Sequence, residues 1–142
     1  MDKDHMDRVR GIFPSAPHVK NLGIRLVDLG SGWCEAELDI EEKHSQHHGL
    51  VHAGVQATLA DHTAGGAGST VITSDKHVLS VEFKINLLRP AITPKLRCRA
   101  EVLKAGKKII VVEAYVYGLL NDEEKLTSKA TVTLAVVENQ TT

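Results

Sequence analysis

Apolar and polar positions along the chain follow two rhythms, one repeating every three to four residues and one alternating. Residues 2–13 space Met6, Val9, Ile12 and Phe13 among charges as a short amphipathic helix would. Pro14 and Pro17 end that pattern and lead into a loop. Over 22–29, the apolar residues Leu22, Ile24, Leu26 and Val27 predict a first strand, and Gly30, Ser31 and Gly32 a turn. Residues 33–40 then alternate, with Cys34, Ala36, Leu38 and Ile40 on one face and Glu35, Glu37 and Asp39 on the other. That is a half-buried antiparallel strand, and the two strands read as a hairpin.

Residues 41–51 are polar, contain Gly49 and predict a loop. From about His52 the helical rhythm returns. Val55, Leu59 and His62 recur at helical spacing, and Ala53, Ala57, Ala60, Ala64 and Ala67 supply small faces. Gly65, Gly66 and Gly68 fall inside this helix, where each costs about 1 kcal/mol against alanine. A sheet wrapped tightly around the helix would explain them. After a linker at 73–76, alternating apolar runs occupy 77–88, 96–104, 108–120 and 125–137, with turns at Gly106 and at Asn121 and Asp122. Long strands joined by short turns make an antiparallel meander, and without βαβ alternation a Rossmann-type parallel sheet is not expected. The predicted class is α+β: five to six antiparallel strands curled around one long central helix.

The length of 142 residues suits a single domain over 1–142 that buries its core without staples. A net charge of −1 puts nucleic-acid binding at a disadvantage. Cys34 and Cys98, the only cysteines, sit in strand-like apolar patterns and read as reduced core residues, although sequence leaves a disulfide between them open. The charged N-terminus lacks the apolar segment of a signal peptide, and no run is long enough to span a bilayer. A cytoplasmic location and no membrane partner are the expectation.

Candidate chemistry concentrates between His44 and Thr70. The turn from Gly49 to Gly54 opens a helix, so backbone N–H groups near Ala53 and Gly54 lack intrahelical partners and can polarise a carbonyl or hold an oxyanion. Asp61 is a carboxylate in an otherwise apolar, small-residue helix, suited to direct attack on an acyl carbon or to deprotonation of a water. Gln46 and His52 flank the helix start, where they would hold a carbonyl or a water. Lys84, Arg89, Lys104, Lys107 and Lys108 offer cations for a phosphate-bearing ligand, with a solvated surface as the plainer alternative. Ala53 and Asp61 are separated by about 12 Å along a helix axis, too far to grip one carbonyl within a subunit, so cooperation requires at least a dimer. His48 and His52 stand four apart, but Gly49 interrupts any helix between them and no H-E-x-x-H or cysteine pair occurs, so no metal is expected. The helix glycines lack G-x-G-x-x-G spacing and a P-loop Lys-Ser/Thr, which favours close packing over phosphate binding.

G-L-V-H-A-G-V-Q-A-T-L-A-D at 49–61, with S-V-E-F-K-I-N-L-L-R-P-A at 80–91, resembles the PaaI-type hotdog-fold acyl-CoA thioesterases over about residues 20–138, element order included. The resemblance implies a hotdog fold, hydrolysis of an acyl-CoA to a carboxylic acid and free CoA without a cofactor, and a homotetramer built as a dimer of dimers. It makes Asp61 the nucleophile or general base and the Ala53 N–H of the neighbouring subunit the main carbonyl-polarising donor, with Gly54 beside it. His52 matches the histidine before the donor, Gln46 an Asn/Gln position suggested to orient the thioester or water, and Ser80 a pocket hydroxyl. Arg89 and Pro90 resemble the common R-P strand ending. Ala53 departs from the family's usual glycine, and its methyl puts substrate size in question. The rival readings are a non-catalytic acyl-CoA-binding or sensing module and a hotdog enoyl-thioester hydratase or dehydratase. Aromatic content of 4% leaves aryl and short- or medium-chain acyl groups open.

Overall fold

The computed structural model describes residues 2–140. Helix α1 (Lys3–Ile12) runs through a short 3-10 turn into α2 (Pro17–Leu22), followed by strands β1 (Arg25–Gly30) and β2 (Trp33–Asp39). The long helix α3 (Ala53–Ser69) precedes β3 (Lys76–Leu87), β4 (Lys95–Ala105), β5 (Ile109–Leu120) and β6 (Glu123–Glu138). All pairings are antiparallel, in the order β1-β2-β4-β5-β6-β3. The sheet wraps α3, which packs against all six strands, and this is the hotdog fold.

The alternation written in the sequence sets the inner face. Cys34, Ala36 and Leu38 of β2, Leu96, Cys98 and Ala100 of β4, and Ile110, Val112 and Ala114 of β5 are buried against Leu59, Ala60, Ala64 and Ala67 of α3. Both cysteines are free thiols, and burial pushes each up to about 12. Two of the three predicted close-packing glycines are explained by the sheet and Phe13. A Cβ on Gly66 would lie 2.8 Å from Cys34 Sγ and 3.1 Å from the Phe13 ring, and one on Gly68 would collide with Leu134. Gly65 differs, because a Cβ there meets nothing within 4 Å.

Three local expectations are corrected. Pro17 starts a helix rather than a loop, since proline's fixed φ suits the first helical position. Gly23, at φ 91°, caps α2 in the left-handed region, so Leu22 and Ile24 precede the strand, which begins at Arg25. The loop at 41–51 contains two 3-10 turns and a bridge between Ser45 and Val51. Its fully buried His44 accepts from the Glu41 N–H at Nδ1 and, through Nε2, reaches the Leu22 carbonyl at 2.7 Å, tying the loop to the end of α2.

β3 forms one edge of the sheet, and its register shifts between Ser80 and Glu82. Before this bulge, Val78 and Ser80 pair with Val136 and Leu134; after it, Phe83 and Ile85 pair with Val132 and Ala130. Cross-strand partners share a face, so the bulge switches the helix-facing set from even to odd positions. Leu79, Val81, Phe83 and Leu87 are exposed along this edge.

Candidate functional site

The first turn of α3 carries one end of the site. His52 is the N-cap, and its Nδ1 accepts from the Gly54 N–H at 2.8 Å. The Val55 and Gln56 N–H groups turn to the His52 carbonyl at 2.9 and 3.4 Å. Among the described residues, the Ala53 N–H donates to nothing. The expected pair of free donors is therefore reduced to one, because the sequence does not show that His52 occupies Gly54. Capping through Nδ1 places the His52 proton on Nε2, on an exposed ring. Gln46 is exposed nearby; its backbone N–H donates to the Leu50 carbonyl at 2.7 Å, and its side chain makes no hydrogen bond among the described residues.

Two turns further along α3 is the other end. Asp61 is half-buried, and Ser80 Oγ donates to its Oδ1 at 2.6 Å. The β3 bulge follows Ser80 and brings Phe83 to the same, helix-facing side of the strand. Beside Asp61, His62 packs on Phe13 with ring centroids 4.4 Å apart and planes tilted by 52°, and donates from Nε2 to the Phe13 carbonyl at 2.7 Å. Burial holds the His62 imidazole below its ordinary range, outweighing the Phe13 carbonyl and the Asp61 charge, so it stays neutral and structural.

A cavity of about 290 Å³ opens beside Asp61 and Ser80. Val9, Ile12 and Phe13 give it an apolar wall, and Gly65 leaves its α3 side bare. This wall was missed in the sequence: the stripe Met6, Val9, Ile12 and Phe13 showed that the first helix packs on something, but not on what. The expected cations are elsewhere. Lys84 follows the bulge at an even position and faces away from α3, Lys107 and Lys108 lie in the β4–β5 connection, and Arg89 lies past the end of β3; none lines the cavity. Its lining cations are Arg8 and Lys76. Among the described residues no group of three or more His, Cys, Asp or Glu is placed to hold a metal, and no helix is long and apolar enough to cross a membrane.

Within this chain the lone Ala53 N–H and Asp61 are eight residues apart on one helix, a rise of about 12 Å, so one carbonyl cannot touch both. One chain presents a carboxylate held by a hydroxyl beside a small cavity and, apart from it, a helix terminus with one free donor among the described residues.

Comparison with known proteins agrees with this architecture. A family model described as the thioesterase superfamily matches residues 48–119. The chain is similar to a thioesterase family protein from Silicibacter pomeroyi, with TM-score 0.92, 32% identity, and coverage of 95% of this chain and 99% of that one. A thioesterase from Haemophilus influenzae gives TM-score 0.83 and 28% identity over 94% of this chain and 90% of that one. In sequence, the 1,4-dihydroxy-2-naphthoyl-CoA hydrolase of Listeria monocytogenes is 29% identical over 82% of this chain and 93% of its own. The chain belongs to the thioesterase superfamily.

Proposed function

We propose that the protein is an acyl-CoA thioesterase that works as a homo-oligomer, with each active site shared between two subunits. The observation that carries this reading is the half-buried Asp61 carboxylate, hydrogen-bonded by Ser80 at 2.6 Å and open to the cavity, on a helix whose one N-terminal donor left free among the described residues is too distant to act on the same carbonyl. The thioester carbonyl oxygen accepts from the Ala53 N–H of one subunit, at the positive end of the helix dipole. Asp61 of the other subunit takes a proton from water as the water oxygen bonds to the acyl carbon. The tetrahedral intermediate collapses, the C–S bond breaks, and the proton passes to the departing CoA thiolate. Direct attack by Asp61 would instead form a mixed anhydride that water then opens. Ser80 orients the carboxylate in either case.

The second subunit is assigned to the β3 edge. Among the described residues no strand pairs with its outer side, and Leu79, Val81, Phe83 and Leu87 are exposed there next to Ser80. A tetramer is the further assembly that the family resemblance implies.

The test is thiol release from a panel of acyl-CoA esters by wild type and Asp61→Asn. Asparagine keeps the size and removes the charge and basicity. Release should fall by about 100-fold or more in the variant, the scale of a lost base. No release from any ester by folded wild type would refute hydrolysis and leave a binding module. Equal release by both proteins would remove Asp61 from the centre of the mechanism.

A further inference from the structure

Gln56 is a polar side chain on the buried face of α3, only 3% exposed, about one turn past Ala53. Burying an amide is costly unless it is hydrogen-bonded. Here the partner is Thr127, also 3% exposed, whose Oγ1 donates to Gln56 Oε1 at 2.8 Å. Thr127 stands at a bulge. The β5–β6 register shifts so that Val116 pairs with Ser128 and Tyr117 with Leu126, which leaves Thr127 between them without a cross-strand partner. Its carbonyl instead accepts from the Leu88 N–H at 2.8 Å and the Arg89 N–H at 3.4 Å, just past the end of β3. Two residues further on, the Ala91 carbonyl accepts from the Val51 N–H at 3.0 Å. Thr127 therefore reaches α3 from both sides of Ala53: through its side chain to Gln56, and through the segment 88–91 to Val51.

Resting on the thioesterase reading above, we infer that Gln56 and Thr127 are positioning residues. Their hydrogen bond fixes α3 along its own axis, and with it the Ala53 N–H that receives the thioester carbonyl. The other buried residues near this end of α3, Val55, Leu59 and Ala60, are apolar. Such contacts press the helix against the sheet but tolerate a small slide. A hydrogen bond does not, because it weakens steeply as its distance and angle depart from the optimum. Two apolar side chains would fill the same space, so packing gives no reason for an amide here; a fixed axial position does. The position matters because a misplacement of about 1 Å at a group acting on the reacting atoms can cost about 100-fold in rate.

The experiment centres on the paired variant Gln56→Met with Thr127→Val. Both partners become apolar side chains of similar shape, so stability in urea should stay near that of wild type. In thiol release, kcat should nevertheless fall by about 10- to 100-fold with KM within about 2-fold, the pattern of an interaction that acts in the transition state. Thr127→Ser, which keeps the hydroxyl, should recover most of that loss. On an Ala53→Pro background the same pair should cost no more than about 2-fold further, because the donor it positions is already gone. Backbone amides 55 and 56, which bond to the His52 carbonyl, should exchange hydrogen about 10-fold faster in the paired variant, a local loosening at unchanged global stability. If the pair does not fold, Gln56→Met alone carries the same readouts, since it leaves Thr127 Oγ1 the Val116 carbonyl at 3.2 Å.

Wild-type kcat in the paired variant, a loss that adds in full to that of Ala53→Pro, or unchanged exchange at 55 and 56 would each overturn the positioning role. No thiol release from any ester by wild type would instead refute the thioesterase reading, and the exchange measurement would still decide whether the pair holds the start of α3.

Discussion

Adjacent glycines of α3 should respond to the same substitution with opposite signs. Glycine in a helix costs about 1 kcal/mol relative to alanine, so Gly→Ala is favourable wherever the new methyl has room. At Gly65 it has room, since nothing lies within 4 Å of an ideal Cβ, and Gly65→Ala should stabilise the fold by about 1 kcal/mol. At Gly66 the methyl would sit 2.8 Å from Cys34 Sγ and 3.1 Å from Phe13 Cδ2. Both neighbours are packed, Cys34 at 0% and Phe13 at 4% exposure, so relief requires a shift of α3 or of the Phe13 ring. Overpacking of that kind costs about 1–3 kcal/mol, which leaves Gly66→Ala net destabilised by about 1 kcal/mol after the helix-propensity gain. Gly68→Ala should behave like Gly66→Ala, because its methyl meets the fully buried Leu134.

Urea unfolding at one fixed protomer concentration measures these differences, with an unchanged m-value as the check that only stability has moved. The two neighbouring variants should differ by about 2 kcal/mol, or about 8 °C in Tm for a chain of this size. A destabilised Gly65→Ala or a stabilised Gly66→Ala would refute the packing argument. Activity provides an independent reading. The Gly65 methyl enters the cavity beside Asp61, so Gly65→Ala should gain stability and lose thiol release, with Gly65→Leu losing more.

Ala53→Pro removes the one free N–H at the first helical position, where proline is tolerated and where His52 already has the extended backbone that precedes proline; kcat should fall by about 10²–10³ with the fold intact, measured by thiol release and circular dichroism. If the site is shared as proposed, Asp61→Asn and Ala53→Pro damage opposite halves of it, and co-expressed subunits should recover activity in mixed dimers, one sound site in each, whereas a site within one chain would recover none. Val81→Lys on the β3 edge should shift the oligomer towards monomer in sedimentation and abolish turnover with it. Since burial lowers the His62 pKa, the unfolded state binds the proton first: the contribution of His62 to stability is complete above about pH 6.5 and is lost as pH falls through its lower folded value, a dependence that unfolding curves should show flattened in His62→Gln. Cys34 and Cys98, raised to about 12, should resist thiol reagents at pH 8 in the folded protein; their unfolded forms ionise from about pH 9, so their contribution to stability is lost as pH rises from there towards 12, less steeply in Cys34→Ala.

What the sequence made legible was whatever depends on local periodicity. Cys34, Ala36 and Leu38 declare the inner face of β2 by alternation alone, and the glycines at 66 and 68 declare a close approach to α3. Asp61 could be singled out because a carboxylate is conspicuous among alanines and glycines. What stayed hidden depends on events that leave no period. The register shift after Ser80 reverses which positions face the helix, and no composition marks it. His52 reads equally well as a cap or as a ligand, and only its 2.8 Å contact with the Gly54 N–H decides that it caps. The amphipathic helix at the start of the chain announced an apolar stripe but not its destination, so the cavity wall was out of reach.

In the proposed mechanism the placement of Ser80 links assembly to chemistry. It holds Asp61 from one side of β3, while its sequence neighbours Leu79 and Val81 are exposed at the same edge. A subunit that covers this edge therefore approaches within a residue of the group that fixes the carboxylate. The helix-facing Phe83, exposed and lining the surface around Asp61 and Thr58, extends the same uncovered region towards the carboxylate. In the isolated chain these apolar residues are uncovered, and the proposed mechanism asks for a second α3 N-terminus at Asp61. One partner seated along β3 would meet them together, so association and catalysis should be lost together when that edge is charged.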